Sequence, residues 1–162
     1  MKLRDCHNFN DFRKLAKKKL PSPIFHYIDG GADDEITLNR NTSSFNDYDL
    51  VPSVLNDVSN IDMSTTVLGE KIDFPLFPAA TAMHRLYHHE GERASAKAVE
   101  KMGTIFGTST MGTVSIEEIA KVNKGPKLFQ LYIHKDRGLT DNLLERCKKS
   151  GFSSMCLTVD TV

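Results

Sequence analysis

Residues 104–133 read TIFGTSTMGTVSIEEIAKVNKGPKLFQLYI. Thr104-Ile105-Phe106 begins an apolar strand that becomes polar at Thr108, Ser109 and Thr110. Ser115 and Glu118 then have the spacing of a capping box, which predicts a helix through Val122. Leu128 to Ile133 is the next strand. Two strands separated by a single helix pair in parallel through a right-handed crossover, so this stretch is one β-α-β unit.

The pattern extends in both directions. Upstream, Leu76 to Ala80 is a first core strand, and Ala94, Ala98, Val99 and Met102 mark a helix ended by Gly103. Downstream, Thr140 caps a helix carrying Leu143, Leu144 and Cys147, Gly151 breaks it, and Met155 to Val159 is a fourth strand. The order β-α-β-α-β-α-β fits an open doubly wound sheet or a (β/α)₈ barrel. Before it lies a small hairpin, Thr66-Val67-Leu68 and Ile72 to Phe74, turning at Gly69-Glu70.

The first third of the chain reads differently. Asn8 caps a helix whose Phe9, Phe12, Leu15, Ala16 and Leu20 share one face, and Pro21 and Pro23 stop it. Ile24 to Ile28 forms a shorter helix before the Gly30-Gly31 break, and residues 33–60 read as an irregular helix and connecting loop. The expected division is therefore 1–64, helical segment and connection, and 65–162, the α/β part.

Composition narrows the function classes. Among 162 residues, Lys plus Arg and Asp plus Glu number 21 each, which removes the basic footprint of a nucleic-acid binder and favours a small-molecule partner. No run approaches the length of a spanning helix and no leader-like apolar region follows Met1, so a cytoplasmic protein is expected. Cys6, Cys147 and Cys156 lack disulfide or zinc spacing and read as bystander thiols. His84, His88 and His89 place two imidazoles four apart, as a helical metal pair would, but no carboxylate or cysteine ligand cluster accompanies them, so no metal site is expected. Asp29-Gly-Gly31 leads into Asp33, Asp34 and Glu35, which would repel a phosphate; it reads as a turn before an acidic helix start.

Parallel strands end at one edge, and that edge hosts ligands. The four strand ends supply Thr81, then Thr108, Ser109 and Thr110, then Gln130 and Tyr132, then Thr158 and Asp160. Gln130 and Tyr132 are two apart, as are Thr158 and Asp160, so each pair projects from one face of its strand. Taken singly, each is equally an exposed strand end, a tyrosine a core residue with a satisfied hydroxyl, and Asp160 a cap for the next helix.

Four stretches carry a family resemblance: Tyr27-Ile-Asp-Gly-Gly-Ala-Asp-Asp-Glu, Ala80-Thr-Ala-Met83, Phe129-Gln-Leu-Tyr-Ile-His-Lys-Asp-Arg137 and Leu157-Thr-Val-Asp160. In order and spacing they resemble the motifs of the FMN-dependent 2-hydroxy acid oxidases and dehydrogenases, the group of glycolate oxidase and bacterial L-lactate dehydrogenase. The resemblance implies the N-terminal half of a (β/α)₈ TIM barrel behind a helical extension, with FMN at the C-terminal mouth. It implies that Ala79, Ala80 and Thr81 lie beside the flavin ring and that Ser109, Gln130 and Thr158 hydrogen-bond it. Tyr27 would hold the substrate carboxylate, Tyr132 the hydroxyl or developing carbonyl oxygen, and Asp160 a catalytic histidine. The family usually has proline where this chain has Ala80.

That histidine belongs to a later Ser-x-His-Gly-Gly-Arg-type motif, which this sequence does not contain before Val162. The expectation is a truncated portion, inactive alone. The implied reaction is FMN-dependent oxidation of a small L-2-hydroxy acid to the 2-oxo acid. Arg85-Leu-Tyr-His-His-Glu-Gly-Glu-Arg93 is more like the bacterial lactate dehydrogenases, which favours L-lactate. The electron acceptor is left open among quinone, cytochrome and oxygen. A quinone or cytochrome partner adds a peripheral place on the inner face of the membrane to the cytoplasmic one, and the full-length protein is expected to be a homo-oligomer. Competing readings are another FMN barrel, such as an isomerase, and a non-catalytic half-barrel assembly module.

Overall fold

The computed structural model describes residues 2–160. The chain forms two compact units, Met1–Ser59 and Asn60–Val162. Among the described residues the first contains three α-helices, α1 (Phe9–Lys19), α2 (Ser22–Asp29) and α3 (Ile36–Ser43). Asn8 caps α1 through its side-chain oxygen, which accepts from the Asp11 amide at 3.0 Å. Pro23 lies in the first turn of α2, where its missing N–H costs nothing. Arg13 and Asp29 form a fork, Nε to Oδ1 at 2.5 Å and Nη2 to Oδ2 at 2.9 Å, tying α1 to α2. The apolar face expected of α1 is only partly covered: Leu15 is buried while Phe9 and Phe12 are exposed. Three short helices offer too little surface to bury all of it.

The second unit begins with the hairpin, β1 (Thr65–Val67) and β2 (Glu70–Ile72), paired antiparallel. Its turn is Leu68-Gly69, one residue earlier than expected. Both carry positive φ, 53° and 82°, as a two-residue turn that matches the strand twist requires. The main sheet has three parallel strands in the order β3 (Phe106–Ser109), β4 (Lys127–Leu131) and β5 (Ser154–Leu157). The helix α4 (Glu92–Lys101) precedes β3, and α5 (Ile116–Val122) and α6 (Arg137–Lys149) run between the strands.

The expected first strand, Leu76 to Ala80, does not form a ladder. Among the described residues its segment joins β3 by a single parallel bridge, Thr81 to Thr108. Pro75 and Pro78 remove two of the amides a ladder needs. The segment nevertheless packs tightly, because Gly107 has no side chain: a Cβ there would stand 3.0 Å from the Ala80 nitrogen and 3.2 Å from the Pro78 oxygen.

The core lies between strands and helices. Ala96 and Val99 of α4 meet Phe106, Val114 and Ile119, while Ile116, Phe129, Leu131 and Cys147 form the next cluster. Phe152 packs against both, its ring edge-on to Phe129. On α4 Val99 is buried as expected, with Ala96 beside it, while the expected Ala94, Ala98 and Met102 are exposed. Ion pairs clasp the helices outside: Arg93 to Glu118 at 2.6 Å, and Arg146 to Glu117 through two bonds of 2.7 and 2.8 Å. The α5 capping box is present. On α6 the cap is Asp136, accepting from Gly138 at 2.8 Å. Thr140, expected as the cap, lies inside the first turn, where its hydroxyl accepts from the His134 amide at 3.1 Å. Thr140 stands three residues past the helix start, so capping falls to Asp136, the residue just before it.

Candidate active site

Because β3, β4 and β5 are parallel, their C-terminal ends share one edge. There a row of side chains crosses all three. Ser109 Oγ donates to Gln130 Oε1 at 2.6 Å, and Gln130 Nε2 donates to Thr158 Oγ1 at 2.5 Å. Ser109 and Gln130 are buried, 6% and 9% exposed. Alternation along β4 puts Phe129 and Leu131 into the helix-side core and Gln130 on the opposite face.

The backbone supports the row. Met111 N donates to Ser109 Oγ at 3.1 Å, and the Thr110 amide and hydroxyl both donate to Gln130 O, at 2.9 and 2.8 Å. Thr110 Oγ1 in turn accepts from Tyr132 N at 3.1 Å. The ends of β3 and β4 are therefore locked together by side chains as well as by the ladder. Thr158 N donates to Leu131 O at 3.0 Å, which carries the β5 register one residue past the strand.

The structure brings Ser109, Gln130 and Thr158 together, and the Thr81–Thr108 bridge places Ala79, Ala80 and Thr81 beside the end of β3. Thr81 Oγ1 donates to Ala79 O at 3.3 Å. Tyr132 and Asp160 follow the ends of β4 and β5, Tyr132 half-buried and Asp160 exposed. Tyr27 lies on α2 in the other unit and is exposed.

Sequence reasoning missed Glu92, which is fully buried at the start of α4. Oε1 accepts from Thr113 N at 2.7 Å and His84 N at 3.3 Å, and Oε2 from Thr113 Oγ1 at 2.7 Å. Burial pushes its carboxyl up, but these donated bonds outweigh burial and hold it below its ordinary value. A glutamate at a helix start reads in sequence as dipole compensation, and nothing in its spacing signals burial. Of the three free thiols, burial pushes Cys147 up to about 11, so it stays protonated. His84 and His88 do not share an α-helix: His84 begins a 3₁₀ turn and its Nδ1 is 3.2 Å from Ser95 Oγ.

A family model described as FMN-dependent dehydrogenase matches residues 16–162. The chain belongs to that family. It is 44% identical over 154 residues to glycolate oxidase of Spinacia oleracea, covering 95% of this chain and 42% of that protein. It is also 44% identical over 150 residues to L-lactate dehydrogenase of Vibrio parahaemolyticus, covering 93% of this chain and 40% of that one. The flavin-binding domain of baker's yeast flavocytochrome b2 superposes with a TM-score of 0.89 at 32% identity, over 99% of this chain and 42% of that domain chain. The chain thus spans under half the length of these relatives, and its fold is the N-terminal half of their (β/α)₈ barrel.

FMN is the cofactor of the family. The strand-end row fits a flavin's polar edge. That edge alternates acceptors with an N–H, and the row offers hydroxyls that can donate or accept and an amide whose Nε2 carries a second hydrogen beyond the one given to Thr158.

Proposed function

We propose that this chain supplies the ring-side half of a flavin site in an enzyme that oxidises a small L-2-hydroxy acid, L-lactate foremost, to the 2-oxo acid. The observation that carries the reading is the buried Ser109–Gln130–Thr158 row at the shared C-terminal edge of three parallel strands. When bound, FMN supplies the two-electron acceptor. The residues of this chain orient it: Ser109, Gln130 and Thr158 through the row, and Ala79, Ala80 and Thr81 from the segment beside β3. A fixed set of donors at the ring edge stabilises the negative charge of the reduced cofactor without reorganisation during the reaction.

Tyr132 holds the substrate hydroxyl oxygen, Tyr27 the carboxylate, and Asp160 orients the imidazole that takes the hydroxyl proton. The preference for L-lactate rests on the likeness of Arg85–Arg93 to the bacterial lactate dehydrogenases. The 162 residues carry no Ser-x-His-Gly-Gly-Arg motif to take that proton, and without such a group the polypeptide is expected to turn over no lactate. Turnover of L-lactate, glycolate and (S)-mandelate by the flavin-loaded protein that carries this chain tests the reading. The highest kcat/KM is expected with L-lactate, and absence of 2-oxo acid from all three contradicts it.

A further inference from the structure

Glu92 is 0% exposed and its oxygens are met by neutral donors, the Thr113 amide and hydroxyl and the His84 amide. Such a buried carboxylate persists only where donors saturate it. What it joins is specific. His84 belongs to the loop that follows Thr81, and Thr113 to the loop that follows Ser109. The two loops also meet directly: Arg85 N donates to Thr113 Oγ1 at 3.1 Å, and Met83 N to Met111 O at 3.1 Å. Met111 N is the donor that holds Ser109 Oγ. Met83 is kept in the left-handed region, φ 55°, which a side chain tolerates only when its surroundings over-determine it.

We propose that Glu92 is a positioning residue for the flavin cradle: its buried carboxylate clamps the loop after Thr81 to the loop after Ser109 and so fixes two ring-facing strand ends relative to each other. The inference rests on the flavin reading above. Glu92 touches neither the ring nor the substrate; it acts through Thr113, Met111 and Ser109. Without it, the Thr113 and His84 amides lose their acceptor, and of the contacts described above only the Arg85–Thr113 and Met83–Met111 bonds still join the two loops.

The test is an FMN titration of the flavin-stripped protein that carries this chain by flavin fluorescence quenching, with amide hydrogen exchange followed along residues 60–160. Glu92→Ala is expected to weaken FMN binding about tenfold and to speed exchange at residues 83–85 and 109–113, while β4 and β5 stay as protected as in the wild type. Glu92→Gln keeps a carbonyl oxygen for the two amides and should recover binding to within about threefold of wild type. Thr113→Ala, which leaves the carboxylate in place, should fall between the two and carries the test if Glu92→Ala does not fold. Wild-type binding with all folded variants within about twofold of it overturns the clamp and leaves the flavin reading intact. Faster exchange spread evenly over β3, β4 and β5 also overturns it, since that marks a general structural role. If the wild-type protein that carries this chain quenches no FMN, the flavin reading is overturned, and the clamp with it.

Discussion

Ser109 Oγ donates to Gln130 Oε1 at 2.6 Å, joining the ends of β3 and β4 through buried side chains. The same amide reaches Thr158 beyond β5, so one residue ties three strand ends. Gln130→Leu should therefore cost more than a surface substitution. It leaves the Ser109 hydroxyl with an unmade bond in a buried place, a loss of ~1–3 kcal/mol. Urea unfolding measures the stability and FMN titration the site. Both should weaken, and unchanged values in both would remove the row from the account.

Gly107→Ala tests the approach of the Pro78–Ala80 segment to β3. The added Cβ would lie 3.0 Å from a backbone nitrogen, which cannot rotate away as a side chain can. A destabilisation of about 1–3 kcal/mol is expected, with the Thr81–Thr108 bridge loosened first. Wild-type stability would show that the segment is not held there.

Acid should destabilise the helix layer in a defined window. Hydrogen bonding from Arg146 holds the Glu117 carboxyl down at about 2, and Arg93 with Ser115 holds Glu118 at about 2. Both folded-state values lie below the unfolded value, so their stabilisation is present above an unfolded pKa of roughly 4.3 and is lost as pH falls from there towards 2. Both pairs are partly exposed, so the effect is modest and shrinks in high salt. Denaturation midpoints between neutral pH and pH ~2 check this. The double variant Glu117→Gln, Glu118→Gln should flatten the fall, and an equally steep fall in that variant would place the acid sensitivity elsewhere.

Much of this was legible because local signals and tertiary structure agree. Ser115 and Glu118 announce α5, and the alternation Phe129, Gln130, Leu131 announces a strand with one face in the core and one at the ligand edge. Period-2 reasoning put Gln130 and Tyr132 on one face, and the row that includes Gln130 is the strongest feature of the site. The first barrel strand was misread because Leu76–Ala80 is apolar enough for a strand while Pro75 and Pro78 deny it a ladder. Glu92 was illegible because its burial depends on two loops that meet only in the fold, and its sequence context is that of any acidic helix start. Of the face expected on α4 only Val99 is buried, because Ala94, Ala96 and Ala98 alternate there and apolar content alone does not tell which of them meets the core.

In the protein that carries this chain, Tyr132→Phe should lower kcat more than it raises KM, because a hydroxyl that tightens on developing charge acts mainly in the transition state. A raised KM with unchanged kcat would reduce Tyr132 to a binding residue. Asp160→Asn should lower turnover by about 10²-fold or more, by mis-orienting the imidazole and leaving its positive charge uncompensated. Wild-type rates in that variant would take Asp160 out of the mechanism.

Anaerobic mixing of L-lactate with the flavin-loaded protein that carries this chain, following the oxidised-flavin absorbance band and the product together, is the decisive measurement. The band is expected to bleach with one 2-oxo acid formed per flavin, and Gln130→Leu is expected to slow the bleaching. A flavin-loaded protein whose band is unchanged by L-lactate, glycolate and (S)-mandelate alike would contradict it.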